Sequence, residues 1–289
     1  MWFLYAFLFA VITSVSVIVA KRVMKNVDEY LYLAISNLFA VPFLFLIVVY
    51  FYEIPRVDGT FFRAIILGSI VGIFAAVFAY RAIKISEISA ISPISAFNPV
   101  FTAVISFIFL HEVISGKSVF GILLICFGAY LLELSKAEND LLGPIKSLTT
   151  NPGVRLSLAA YFLWAITPVF EKTAILHTFP KVPPFVSLVG LSFTTVAFIL
   201  MAIKKSKKSL PEIRNLLPIF LIVGVLGGLG QALAMVAFSL GELGLTTAVF
   251  KLSMIFTVVL GWILLKEQNV KDRLLGSFVM LLGVALLVV

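Results

Sequence analysis

The run Leu243–Leu265, LGLTTAVFKLSMIFTVVLGWILL, constrains the fold more than any other stretch of the chain. Wound as a helix rising about 1.5 Å per residue, it spans about 35 Å and crosses a bilayer core. One charge, Lys251, stands near its middle. An ammonium at that depth costs on the order of 3 kcal/mol or more if it stays charged and faces lipid. Lys251 must therefore face the protein interior or water, with a partner, and it is a candidate functional residue for that reason.

The rest of the chain is of the same kind. Of its 289 residues, 62% are hydrophobic and 12% charged, about half the charged fraction of a soluble domain. Apolar runs read as spans at about residues 2–20, 30–52, 61–83, 88–110, 118–134, 154–176, 182–203, 216–240, 243–265 and 274–289. The expected fold is an all-α membrane protein with ten transmembrane helices. Lys21 and Arg22 follow the first run with no small-residue cleavage site, so it reads as a retained span. Residues 136–153 form a polar linker between a first five-helix repeat, 1–135, and a second, 154–289.

The halves repeat. A shift of 155 places Glu87 on Glu242, Phe101 on Phe256, Thr102 on Thr257, Leu110 on Leu265, Glu112 on Glu267, Gly121 on Gly276 and Gly128 on Gly283. Without gaps, Glu87–Leu134 and Glu242–Val289 share 11 of 48 positions. Five spans per half is an odd number, so the second half lies upside down relative to the first. Such an inverted-topology repeat is typical of secondary transporters. The loops between odd and even spans hold 16 Lys and Arg, and the opposite side holds four: Arg56, Arg63, Lys117 and Lys181. By the positive-inside rule both termini face outside.

Each half ends with a span closing in a leucine and a glutamate, a short turn, and a span with glycines seven apart. The residues are Leu110-His111-Glu112 with Gly121 and Gly128, then Leu265-Lys266-Glu267 with Gly276 and Gly283. The chain thereby resembles the EamA-type transporters of the drug/metabolite transporter superfamily. The resemblance implies an alternating-access carrier, multi-pass in a prokaryotic plasma membrane, with a central cavity between two repeats. Its substrate would be a small metabolite, an amino acid or an organic anion among them. The partners expected are that metabolite, membrane lipid and protons for coupling, with the chain a monomer or a homodimer. The first repeat departs from the second in having His111 before its glutamate, and Ala96 where the second has Lys251.

Candidate substrate-binding residues follow from depth and spacing. On a helical span 9, Thr247 shares the Lys251 face. Lys251 reads either as an anchor for a carboxylate or phosphate, or as half of a structural ion pair. On span 6, Trp164, Thr167 and Glu171 share a face, and Pro168 is expected to free carbonyls for a ligand. Glu171 is the expected partner of Lys251 in the empty carrier; the alternative is a Glu171-Lys172 pair at the interface. Gln231 sits mid-span among Gly224, Gly227, Gly228 and Gly230, whose expected role is close helix packing. Asn98, beside Pro99 in span 4, lies at midplane depth. Tyr80, Tyr161 and Trp164 can stack on an organic substrate. Glu87, Glu112, Glu242 and Glu267, at span ends, are expected to cap helices or pair with loop cations. The Lys204–Lys208 cluster is expected to fix topology and touch anionic lipid.

Other classes fare worse. Cys126 is the only cysteine, so no intrachain disulfide or cysteine cluster forms. No HExxH, GxSxG or P-loop occurs, so no metal, cofactor or catalytic residue is expected. The net charge of +8 sits in short loops and forms no nucleic-acid face. A flippase for a lipid-linked intermediate and an intramembrane enzyme are the competing readings.

Overall fold

The computed structural model describes residues 1–24, 27–86, 91–134, 142–205, 214–265 and 271–288. It is helical almost throughout. The helices are α1 (Trp2–Met24), α2 (Glu29–Phe51), α3 (Gly59–Ile85), α4 (Asn98–Leu110), α5 (Gly116–Leu134) and α6 (Gly143–Thr150). They continue as α7 (Pro152–Leu176), α8 (Pro183–Lys205), α9 (Leu217–Leu240), α10 (Leu243–Phe250), α11 (Leu252–Leu265) and α12 (Lys271–Val288). Among the described residues nine segments are long and apolar enough to cross a membrane, and Leu275–Leu287 is a shorter apolar helix. Large apolar side chains stand outward on them. Tyr50, Phe109 and Trp262 are each more than half exposed, a surface that suits hydrocarbon and not water.

Two expectations are corrected, and the polar linker carries a short helix, α6, Gly143–Thr150. Span 4, expected as one helix, is a 3-10 segment over Ser92–Phe97 followed by α4, with a proline in the first turn of each piece. Proline lacks an N–H and is tolerated where a helix begins. Span 9 is interrupted at Lys251, the C-cap of α10. Under the 155-residue shift the two interruptions fall within two positions of each other. Of the span-end glutamates, Glu87 and Glu267 lie outside the described residues, as do residues 206–208 of the lysine cluster.

Helix starts are set by local polar chemistry. Asp28 accepts the N–H of Leu31 at 3.0 Å, and Asn151 accepts that of Gly153 at 2.8 Å. Each side chain takes up an N–H that the first helical turn leaves without a partner. The α4 C-terminus closes on His111, whose φ of 54° is left-handed, a conformation in which histidine is enriched among non-glycine residues.

Packing divides the chain into two compact units, Met1–Ile70 with Phe170–Leu240, and Val71–Val169 with Gly241–Val289. Each draws helices from both sequence halves. In the first, α9 packs on α1, α2 and α8. A Cβ on Gly224 would lie 2.8 Å from the Ser36 carbonyl, and one on Gly228 3.1 Å from that of Ala40. Packing is thus the role of these two glycines. In this unit strand β1 (Arg56–Val57) pairs antiparallel with β2 (Thr178–Phe179). Beside them Asp58 accepts the N–H groups of Thr60 at 2.9 Å and Phe61 at 3.0 Å, and lies 2.7 Å from His177 Nδ1.

The second unit is built on α5 against α12. A Cβ on Gly128 would lie 2.6 Å from the Gly276 carbonyl, and one on Gly276 2.6 Å from that of Gly128. Gly121 and Gly283 meet likewise, at 3.0 and 2.7 Å. The pairing 121 with 283 and 128 with 276 makes the helices antiparallel. The repeat exchanges these two contacts exchange for exchange, as an inverted repeat demands of its equivalent helices.

Replacing Gly128 by alanine overpacks this seam against rigid backbone. It is expected to cost about 2 kcal/mol, whereas Gly227→Ala, with nothing within 4 Å of the new Cβ, is expected to be neutral or to gain up to about 1 kcal/mol. Thermal unfolding in detergent checks both. The Phe61 N–H, and then His177, hold the Asp58 carboxyl below its usual range. Its contribution to stability is therefore present above the unfolded pKa and is lost as pH falls through the lower folded one. The melting-temperature gap between this protein and Asp58→Asn is expected to hold at about pH 5 and to shrink below about pH 4.

Candidate substrate site

The interruption of span 9 is sealed by its own backbone. The Lys251 N–H donates to the Ala248 carbonyl at 3.1 Å, and the Lys251 carbonyl accepts from Met254 at 3.0 Å. These tight i to i+3 bonds keep the polar backbone satisfied within the apolar span. In span 4 the Asn98 N–H donates to the Ser95 carbonyl in the same way. Just beyond each interruption, Thr102 Oγ donates to the Asn98 carbonyl at 3.0 Å and Thr257 Oγ to that of Ser253 at 2.7 Å. The two threonines are equivalent in the repeat, and so are their acceptors. Such back-bonding bends a helix slightly and is open to Ser and Thr, a physical reason for the matched threonines.

The start of α10 is held from the other half of the chain. Glu242 is its N-cap but makes no capping bond with its side chain. Instead Glu112 Oε2 accepts the Leu243 N–H at 2.8 Å, a carboxylate on the positive end of a helix. Gly244 lets α10 approach α4, since a Cβ there would lie 2.6 Å from that of Ala103. The Lys251 break is thus fixed from its N-terminal side by one carboxylate and one glycine.

Around Lys251 the second unit gathers a polar and aromatic cluster. Its Nζ lies 5.8 Å from the centroid of the Tyr161 ring, within cation–π range. Tyr161 packs on Trp164 with centroids 5.5 Å apart. Asn98 Nδ2 donates to the Tyr161 carbonyl at 2.9 Å. Glu133, 8% exposed, stands in the same unit on α5, which packs on α10. On α5 it is seven residues, two turns, from Cys126.

Of the expected residues, Lys251, Asn98 and Trp164 come together here. Thr247 is buried on α10, its hydroxyl donating to Leu243 at 2.8 Å. Thr167 Oγ donates to the Trp164 carbonyl at 3.0 Å. That carbonyl is the one Pro168 deprives of its donor, so the expectation of an open carbonyl for a ligand is corrected. Glu171 and Gln231 belong to the first unit, where the Gln231 carbonyl accepts from Ser187 at 3.4 Å. Tyr80 stands on α3, and its side chain lies outside the described residues. Glu133 is the residue the sequence reading missed. A carboxylate one residue from the end of an apolar run passes for a span boundary, although Leu132 and Leu134 beside it are buried. A pocket of about 260 Å³ between α4 and α5 is apolar apart from Glu112, whose Oε2 is committed to the α10 cap.

Removing that cap with Glu112→Ala is expected to cost about 1–2 kcal/mol of stability. Glu112→Gln, which keeps an acceptor oxygen, is expected to retain most of it, and melting temperatures in detergent separate the two.

Comparison with known proteins places these features. No curated protein matches the chain. A solved structure described as "Crystal structure of protein" superposes with a TM-score of 0.76 over 99% of this chain and 97% of its own, at 15% identity. That likeness is one of fold. The family model described as EamA-like transporter family matches residues 1–134 and again 151–289. With both matches together covering nearly the whole helical membrane chain, the protein belongs to the EamA-like transporter family, within the drug/metabolite transporter superfamily.

Proposed function

We propose that the protein is a secondary carrier that moves a small metabolite bearing an anionic group, an amino acid or an organic anion, across the membrane by alternating access. The observation that carries this reading is Lys251. It is a cation in the middle of an apolar span, at a break in the helix and 5.8 Å from the Tyr161 ring. Discontinuous membrane helices are where carriers of this kind present binding groups. Lys251 takes the anionic group, Asn98 holds the Tyr161 backbone in place, and Tyr161 and Trp164 line the organic part. Thr247 and Thr167 support the two helices with hydroxyls bonded to their own backbones. Glu171 is the candidate coupling carboxylate. Both termini face outside, on the Lys and Arg bias of the loops.

The chain passes from one compact unit to the other within α3, after Ile70, and within α7, after Val169. Gly68, Gly72 and Pro168 stand beside these two crossings, and glycines and prolines are where helices bend. Their position supports a cycle in which α3 and α7 flex.

Purified protein screened against metabolite pools by thermal shift, then assayed for counterflow in proteoliposomes, is expected to show a saturable substrate. Lys251→Met is expected to cut transport by about a hundredfold or more, the cost of losing a charged contact, without lowering the melting temperature. Transport at normal rates by this variant, or ohmic current in place of counterflow, would overturn the reading.

A further inference from the structure

We propose that the pocket between α4 and α5 binds one acyl chain of a membrane phospholipid, and that this chain braces the first turn of α10, the half-helix that ends at Lys251. The pocket holds about 260 Å³ and lies within a single compact unit. Of its lining residues, Val104, Phe107 and Val113 are each more than half exposed, and Ile122 is buried. It therefore runs inward from the surface. Val104 and Phe107 belong to an apolar span, so that surface faces hydrocarbon. The lining selects the occupant. A trapped water needs several polar partners, and Glu112 is the only polar residue of the lining. Its Oε2 already accepts the Leu243 N–H at 2.8 Å. A polar metabolite would be desolvated there without hydrogen bonds in return. An unfilled pocket forfeits dispersion contacts along its walls. A hydrocarbon chain restores them, and the bilayer supplies one at this surface.

Charge at the pocket's edge points to a phospholipid. Lys117 lies between the lining residues Ile114 and Val119 along the chain, in the first turn of α5, and is exposed. An ammonium beside an apolar pocket suits the phosphate of a lipid whose chain enters it. Under the 155-residue shift Lys117 falls on Asp272, so the cation belongs to one copy of the repeat and the site is expected in that copy alone. The same lining holds α10. A Cβ on Gly244 would lie 2.6 Å from the Ala103 Cβ and 3.0 Å from Ile114 Cδ1, and Glu112 takes the N–H next to it. Ala103, Ile114 and Glu112 all line the pocket. A chain packed against these three residues therefore supports the contacts that seat α10, and binding to the seated form favours it by mass action.

The test uses the full chain purified in a fluorinated surfactant, whose chains mix poorly with hydrocarbon. Dioleoyl phosphatidylglycerol, or the diacylglycerol with the same chains, is then added. The phospholipid is expected to raise the melting temperature saturably by about 3 °C or more. It is also expected to slow amide hydrogen exchange at residues 243–246 by about tenfold or more, at concentrations about tenfold below those the diacylglycerol needs. Lys117→Gln is expected to erase that difference between the two lipids while keeping the response to both. Val104→Cys carrying a hexyl chain through a mixed disulfide is expected to show slow exchange at 243–246 without lipid and no further slowing with it, whereas a methyl group leaves the lipid response intact. The unaltered protein treated with the same reagent controls for Cys126. A rise in melting temperature without protection at 243–246 is the signature of a general lipid coat and overturns the proposal. So does an equal lipid response in the hexyl-labelled protein. Equal affinity for the two lipids in the unaltered protein overturns the role of the phosphate and of Lys117. If Val104→Cys fails to fold, the exchange measurement on the unaltered protein still decides.

Discussion

Inside hydrocarbon every backbone N–H and C=O needs a partner from the protein itself. That constraint decides where this chain is allowed to be irregular. Its two interrupted spans break within two positions of each other under the repeat, and at each the gap is closed by i to i+3 bonds, at Lys251 to Ala248 and at Asn98 to Ser95. A threonine hydroxyl then ties the next turn to the carbonyl four residues back in both copies. The proline in α7 obeys the same rule, with Thr167 supplying the donor that Pro168 lacks. Irregular backbone is present, but its polar groups are taken up locally.

Closing those gaps locally frees the helices to be held together by shape. The α5–α12 seam brings glycine onto glycine at carbonyl-to-Cβ distances of 2.6 to 3.0 Å, closer than any side chain allows. Between membrane helices, where lipid is as apolar as leucine, such close contact is a principal source of association. The same seam explains why the glycines recur seven apart in each half: a pseudo-two-fold axis exchanges their contacts. The glutamate near them has a mechanical reason too. Glu112 crosses from the first half of the chain to cap a helix of the second, so the start of the Lys251 helix depends on both halves.

Against this symmetric frame the asymmetric residues stand out. Lys251 and Glu133 have alanine and valine as counterparts, and they lie in one compact unit, where Lys251 Nζ stands 5.8 Å from the Tyr161 ring. A duplicated scaffold gives two similar half-sites; a substrate with distinct ends needs two different ones. Each charge occurs in only one copy, Glu133 in the first and Lys251 in the second, and packing brings both into one compact unit.

Much of the architecture was readable from the residues. Long apolar runs can only be membrane helices, and identical glutamates, threonines and glycines in register reveal duplication, because those residue types are rare by chance at matched membrane depths. Lys251 was equally readable, since a charge in an apolar span is costly wherever it points. The breaks within spans 4 and 9 were not, because hydropathy averages over a window longer than a single turn. Nor was Glu133, whose place near the end of a run imitates an interface until neighbouring helices are seen to bury it. The mixing of the two halves within each compact unit is likewise invisible to composition, since helix order along the chain does not say which faces meet. The sequence by itself determined the membrane, the repeat and the lysine; only the tertiary structure decided which carboxylate, carbonyl and ring surround that lysine, because burial and partner choice are set by packing between segments far apart in the chain.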